Sequence, residues 1–297
     1  MKHTYKINKI LVPIDFSESS DNTLNHAIAI AKKSNSELIL VHVLGVSSHV
    51  FPNLTDESNT SSLLMEKVDH EMSSLVKELK STNNIEVSGQ IVEGSPSVGI
   101  VEVAESRACD LIVMGTHGVS GFQEFFMGSV AYRVVNSSKC PVLTINQTAK
   151  VNDYGTILVP IDSSMHTKDK VSEVTTLAKL FNSKVKVVGL VTEDHQDEEK
   201  FHRAKIKQVE EHFSVNGIEF ESKIIHGEDL TEMLNSYAQA VDADLIAIMT
   251  EQEASTGLFV GPHAQRIVNH FRIPVLSVTP IATLDLTSQG NIRPFHS

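Results

Sequence analysis

In the segment Val113–Val135, "VMGTHGVSGFQEFFMGSVAYRVV", Gly115 and Gly118 follow an apolar run of strand type, and Gly128-Ser129 opens a stretch of helical pattern. Backbone N–H groups at a helix start are unpaired and point outward, and the helix dipole favours an anion there. Glycine lets phosphate oxygens approach the backbone with no Cβ in the way, and it permits positive φ. Ser129 can donate its hydroxyl to a phosphate or cap the helix. The pattern suggests a phosphate cradle in two parts, one after the strand and one at the helix start. Neither common phosphate motif is present. There is no GxxxxGK[ST], hence no P-loop lysine, and Gly115, Gly118 and Gly121 are spaced by three, which is not GxGxxG. On spacing alone, the glycines serve equally well as punctuation between a strand and a helix.

The elements that must position these residues are legible because the chain repeats itself. "KILVPIDFS" at Lys9–Ser17 returns as "TILVPIDSS" at Thr156–Ser164, "CDLIVMGT" at 109–116 as "ADLIAIMT" at 243–250, and "CPVLTI" at 140–145 as "IPVLSV" at 273–278. Three matches in one order mean a tandem duplication. The boundary falls in the short polar stretch Asn146–Gly155. We expect domains at 1–148 and 154–280 and a tail at 281–297. In each half, short apolar runs alternate with amphipathic segments. Leu24, Ala27, Ile28 and Ala31, for example, recur at i, i+3, i+4, i+7. Such alternation predicts a parallel sheet with helices on both faces. Ligands of such sheets sit at the carboxyl ends of the strands, near the switch in strand order. The main difference in length between the halves is Gly45–Ser62, a polar loop with two open readings, a lid over a ligand or a disordered segment.

Composition sets limits. The 297 residues suit two domains, with 41% hydrophobic and 21% charged residues, as in a soluble globular protein. The absence of Trp and the formal net charge of −12 argue against nucleic acid or an anionic membrane as partner. Two cysteines, Cys109 and Cys140, fit a reducing compartment. No run approaches the ~20 apolar residues of a membrane span, and the N-terminal run is too short for a signal peptide. A cytoplasmic protein is the expectation.

The spacing G-x2-G-x9-G-[ST], here Gly115, Gly118, Gly128 and Ser129, resembles the ATP-binding signature of the universal stress protein family. So does its setting, between "LIVMG" and "PVLTI" in a chain that starts with "VPID". The likeness covers nearly the whole chain as two UspA-type domains. It implies a five-stranded parallel, Rossmann-like α/β domain of the adenine nucleotide alpha hydrolase-like type, present twice. Carried over by position, Pro13, Asp15 and Val43 would line an adenosine pocket. Met114, Gly115 and Gly118 would support ribose and phosphates, and Gly128, Ser129 and Val130 would close on the phosphates. Mg²⁺ would arrive with ATP, held mostly by its oxygens and water. Asp15 also has a plain structural reading, as a cap of the following helix. The resemblance further implies antiparallel pairing of the two last strands, Val142–Ile145 with Val275–Val278, about a pseudo-two-fold axis. Further homodimerisation is compatible with it.

The second half departs from the signature. Its segment "MTEQEASTGLFVGPHAQRIV" puts Thr250 and Glu253 where the first half has Gly115 and Gly118, and Pro262 where it has Ser129. Proline removes an N–H donor at the helix start, and Glu251 and Glu253 add negative charge. The expectation is one nucleotide site per chain, with a structural second half; a different ligand there, contacted by His263, is the other reading. No HxxxH pair and no CxxC supports a metal site among the 14 histidines. His117 reads either as a phosphate neighbour or as an exposed loop residue, and Cys140 as an inert buried thiol. The sequence thus points to a stress-response sensor or regulator with an unidentified protein partner. The alternatives are a scaffold independent of nucleotide and a slow ATPase or adenylating enzyme. The adenylating reading lacks its SGGxD-type loop, since that position reads "VPIDFSESSD".

Overall fold

The computed structural model describes residues 5–45, 57–116, 127–150, 153–161, 166–192, 199–250 and 271–280. The first half runs β1 (Lys9–Pro13), α1 (Glu18–Ser34), β2 (Glu37–Leu44), α2 (Glu57–Asn83), β3 (Val87–Glu93), α3 (Pro96–Ser106), β4 (Leu111–Gly115), α4 (Ser129–Ser137) and β5 (Val142–Ile145). The second continues with β6 (Thr156–Ile161), α5 (Val171–Phe181), β7 (Lys184–Thr192), α6 (Glu199–Val215), β8 (Phe220–Gly227), α7 (Leu230–Ala240), β9 (Leu245–Met249) and β10 (Val275–Val278). The helix α2 starts inside the segment read from sequence as a polar loop. Of that segment, 46–56 lies outside the described residues.

All ten strands form one sheet in the order β3-β2-β1-β4-β5-β10-β9-β6-β7-β8. Pairing is parallel within each half. The exception is the central pair, β5 with β10, which is antiparallel. Its register sets Val275 against Thr144, Leu276 against Leu143 and Ser277 against Val142. Leu143 and Leu276 are equivalent residues of the two repeats, so the pseudo-two-fold axis passes between them. Each face of the sheet carries one continuous core. Alternate strand residues such as Ile10, Val12 and Leu40 pack under α1, α2, α5 and α6, and Leu11, Ile39 and Val41 under α3, α4 and α7. The helical stripe read from sequence, Leu24, Ala27, Ile28 and Ala31, is buried. No helix among the described residues is long and apolar enough to cross a membrane.

The polar connection between the halves is more than a tether. Tyr154 stands at φ 43°, a left-handed conformation that costs a bulky residue roughly 1–3 kcal/mol. Its ring is 1% exposed. It meets Phe181 of α5 edge-on at 4.8 Å and its hydroxyl lies 2.6 Å from His26 Nδ1 on α1. Ring burial is worth about 1.5–3 kcal/mol and the edge contact about 0.5–1.5 kcal/mol more, enough to offset the strain. Asn22 Nδ2 donates to the carbonyls of Asn146 and Ala149, so α1 holds the connection from inside. The chain start does the reciprocal thing. Tyr5 N–H donates to Ser172 Oγ, and Thr176 Oγ1 to Tyr5 O, both on α5. The repeats also share a device at the start of their first strands. Asp110 accepts from the N–H of Asn8 and Lys9 ahead of β1, as Asp244 accepts from Thr156 N–H ahead of β6.

Two titratable groups occupy equivalent places in α1 and α5, each nine positions before the left-handed Asn caps Asn35 and Asn182. They are His26 and Glu173. Burial lowers the His26 pKa, offset in part by the carbonyl of Ala149. Burial raises that of Glu173 to about 7, and its Oε2 is buried without a hydrogen bond among the described residues. A carboxyl whose folded pKa is raised binds its proton more tightly in the native state. The native state therefore loses stability as pH rises from the ordinary carboxylate range through about 7. Glu173→Gln should abolish that loss. In urea unfolding the variant should equal the parent near pH 4.5 and exceed it at pH 8; equal slopes between those pH values would show that Glu173 does not titrate in this way.

Candidate functional site

β1 lies between β2 and β4. The chain leaves β1 toward β2 and β3, then crosses back to β4, so the strand order switches between β1 and β4. At the carboxyl ends of these strands a cavity of about 360 Å³ opens, within the range of small-molecule sites. Pro13 and Asp15 enter from the end of β1, Val43 from β2, and Met114 and Gly115 from β4; Gly128, Ser129 and Val130 close it at the start of α4. Eight of the nine residues singled out from the sequence therefore share one cavity. Gly118 lies outside the described residues, as does His117.

The glycine at the helix start acts through close approach. Gly128 is the N-cap of α4 with φ −59°, so positive φ is not what this position needs. Its N–H donates to the Thr116 carbonyl at 2.8 Å, and a Cβ there would stand 3.2 Å from that same oxygen. Ser129 is the first helical residue and not the cap. The first N–H bonded within the turn is that of Tyr132, to Gly128 O. The N–H groups of Ser129, Val130 and Ala131 thus have no acceptor in the helix, and all three residues line the cavity.

Asp15 lies two residues before Ser17, the N-cap of α1, and does not itself cap the helix. Its Oδ1 accepts from Ser17 N–H at 3.1 Å, Ser17 Oγ at 2.5 Å and Ser20 Oγ at 2.7 Å, which organises the entry to α1. It also borders the cavity. Several lining residues were not anticipated. His42 interrupts the apolar run of β2, a signal that could have marked it. Its Nδ1 lies 2.8 Å from the Ile14 carbonyl and its ring 5.0 Å from that of Phe16, itself at φ 58°. Thr23, Pro96, Ile100 and Thr116 complete the wall. Pro96 and Ile100 come from α3, and only the tertiary fold brings them here. Cys109 and Cys140 lie at the opposite ends of β4 and β5. Burial raises both thiols, Cys109 to about 12.

The second repeat differs in register from the reading made on sequence. Gly115 pairs with Ile145 and Met249 with Val278. Thr116 N–H donates to Ile145 O, as Thr250 N–H does to Val278 O. Met249, not Thr250, therefore stands where the first repeat has Gly115. Glu251, Glu253, Pro262 and His263 lie outside the described residues. The described walls diverge as well. Val43 corresponds to Leu190 and His42 to Gly189, by their pairing with equivalent neighbours. Counting back from the Asn caps, Thr23 corresponds to Lys170. Met249, Leu190 and Lys170 are each at most 1% exposed, and Lys170 Nζ donates to Thr167 O at 2.7 Å. Larger buried side chains thus replace Gly115, Val43 and Thr23 in the second repeat, while Gly189 is smaller than His42.

The model of the universal stress protein family matches residues 6–146 and again 153–279. The chain belongs to the universal stress protein family. Two universal stress proteins of Methanocaldococcus jannaschii are similar to it, one 35% identical over 142 residues (48% of this chain, 84% of that protein). The other is 32% identical over 154 residues, 47% of this chain and 94% of that protein. Each relative matches about one repeat. A crystal structure of a universal stress protein from Archaeoglobus fulgidus matches both, with TM-score 0.76 and 19% identity over 93% of this chain and 99% of that one. That likeness carries the fold: this member of the family is a tandem protein with a Rossmann-like α/β architecture.

Asp15→Ala should lose all three local hydrogen bonds and cost about 1–2 kcal/mol in urea unfolding without any ligand. Asp15→Asn keeps an accepting oxygen and should retain most of that stability. If both variants unfold like the parent, the serine contacts do not hold the start of α1.

Proposed function

We propose that this universal stress protein is a cytoplasmic sensor or regulator that binds one adenine nucleotide per chain, in the cavity of its first repeat. The observation that carries the reading is convergence. Residues from three strand ends and one helix start, far apart in sequence, meet at the switch in strand order. They are the residues that resemble the family's ATP-binding signature. Apolar walls from Val41, Val43, Met114 and Ile100 suit a flat base. The N–H groups at the start of α4 suit phosphate oxygens.

ATP with Mg²⁺ is the nucleotide this reading names. Among the described residues no group of three His, Cys, Asp or Glu could hold a metal, so the ion would be carried on the phosphates and water. The sequence offers no P-loop lysine to neutralise developing charge, which favours binding and signalling over rapid phosphoryl transfer.

Calorimetric titration of the full chain with MgATP should give one site. Two equivalent sites would overturn the assignment to the first repeat. Gly115→Met installs the side chain that the second repeat carries at the equivalent place. It should abolish nucleotide binding and leave the unfolding midpoint within a few degrees. Binding retained within about threefold, under ~0.7 kcal/mol, would place the nucleotide elsewhere.

A further inference from the structure

At the amino ends of the strands, away from the cavity described above, the fold builds a second kind of cavity, and builds it twice. In the first repeat it takes up about 420 Å³ between the end of α3 and the starts of β4 and β5. In the second it takes up about 560 Å³ between the end of α7 and the starts of β9 and β10. The two correspond residue by residue. Their helices end on equivalent caps, Arg107 and Val241. The next residues, Ala108 and Asp242, stand at φ 49° and φ 48°. Cys109 N–H then donates to Ala104 O, as Ala243 N–H does to Ala238 O. Ser138, Lys139 and Cys140 border the first cavity where Phe271, Arg272 and Ile273 border the second.

The differences between them concern charge and polarity. In the first cavity the Lys139 ammonium is paired with Glu105 at 3.0 Å. In the second, Gln239 replaces Glu105, so Arg272 keeps the positive charge and loses the carboxylate. Its guanidinium has no ion pair or hydrogen bond among the described residues. Asp242 adds a carboxylate where the first repeat has Ala108, and Asn235 adds an amide where it has Val101. The Asp242 side chain is likewise without a partner among the described residues, and it does not pair with Arg272. It stands just beyond the end of α7 at Ala240, where the helix dipole is negative and favours a cation. Below this open rim, Phe271 and Ile273 replace Ser138 and Cys140, and Phe271 is only 2% exposed. The second cavity therefore combines a guanidinium, a carboxylate beside a helix C-terminus and two amides over an apolar floor.

We infer that this cavity of the second repeat binds a small zwitterion, a free α-amino acid with an apolar side chain. Arg272 would take the ligand carboxylate in its planar fork. The ligand ammonium would donate to Asp242, and the apolar side chain would lie on Phe271 and Ile273. A simple carboxylate would meet the Asp242 charge unanswered, and a simple amine would meet that of Arg272; a zwitterion answers both. The inference is independent of the nucleotide reading, since it concerns the other repeat and the opposite ends of the strands.

The test is calorimetric titration of the full chain with L-phenylalanine and with L-leucine. Each is compared with its amide, which lacks the carboxylate, and with its N-acetyl derivative, which lacks the ammonium. At least one of the two amino acids should bind, and both of its derivatives should bind at least tenfold more weakly. Gln239→Glu copies Glu105 of the first repeat and supplies Arg272 with a carboxylate of the protein's own. It should weaken amino-acid binding at least tenfold. Asp242→Asn keeps a residue suited to positive φ and should remove the preference over the N-acetyl derivative. Derivatives that bind within threefold of the parent amino acid, or a Gln239→Glu chain that binds as the parent chain does, would overturn the inference. So would failure of both amino acids to bind at about 10 mM, an affinity weaker than roughly 3 kcal/mol.

Discussion

The antiparallel contact between β5 and β10 is the constraint on which the architecture depends. A five-stranded parallel sheet ends in an open edge at its last strand, with a row of unpaired N–H and C=O groups. Here each repeat closes that edge with the other, in a register centred on Leu143 and Leu276. The result is one ten-stranded sheet with a core on each face that runs through both repeats. The remaining contacts between repeats follow from it. With the two edges joined, α1 and α5 pack against each other on one face. The segments ahead of β1 and β6 then have nowhere to run except across the partner helix. Tyr5 and Tyr154 are the anchors of those two crossings.

Duplication gave two copies of one framework, and the sites at their strand ends then diverged. In the first repeat the cavity is lined by residues without side chains at the end of β4 and the start of α4, Gly115 and Gly128. In the second, Met249 is buried in place of Gly115, Leu190 in place of Val43 and Lys170 in place of Thr23. The sheet tolerates these changes because its own hydrogen bonds run through the backbone. Thr116 and Thr250 keep the same bond to the neighbouring strand in both repeats. A site can be lost at the strand ends without weakening the ladder that supports it.

Polar groups within the shared interface carry a cost of their own. His26 and Glu173 occupy equivalent helical positions, yet burial moves their pKa values in opposite directions, since it disfavours whichever form is charged. The imidazole has a partner in the Tyr154 hydroxyl. The carboxyl oxygen Oε2 has none among the described residues, and its proton is what makes its burial tolerable near neutral pH.

The sequence by itself determined the repeat, the alternation of strand and helix, the positions of most elements to within a few residues, and the glycine-serine signature. These are local or periodic features. Turn residues, apolar periodicity and short motifs express constraints that act within a few positions along the chain, so they survive in a linear string. The tertiary structure alone decided which distant residues share a wall. Pro96 and Ile100 close the cavity because α3 packs on β2 and against α4, and no pattern within α3 announces it. The counterpart of Gly115 is Met249, as the repeat of 109–116 in 243–250 already sets it, and the matching bonds of Thr116 and Thr250 to the neighbouring strand correct the reading that put Thr250 there. The connection Asn146–Gly155 read as a polar tether, but Tyr154 is buried in the interface between α1 and α5. Its role arises where two helices meet across a pseudo-two-fold axis, and that axis exists only once β5 has paired with β10.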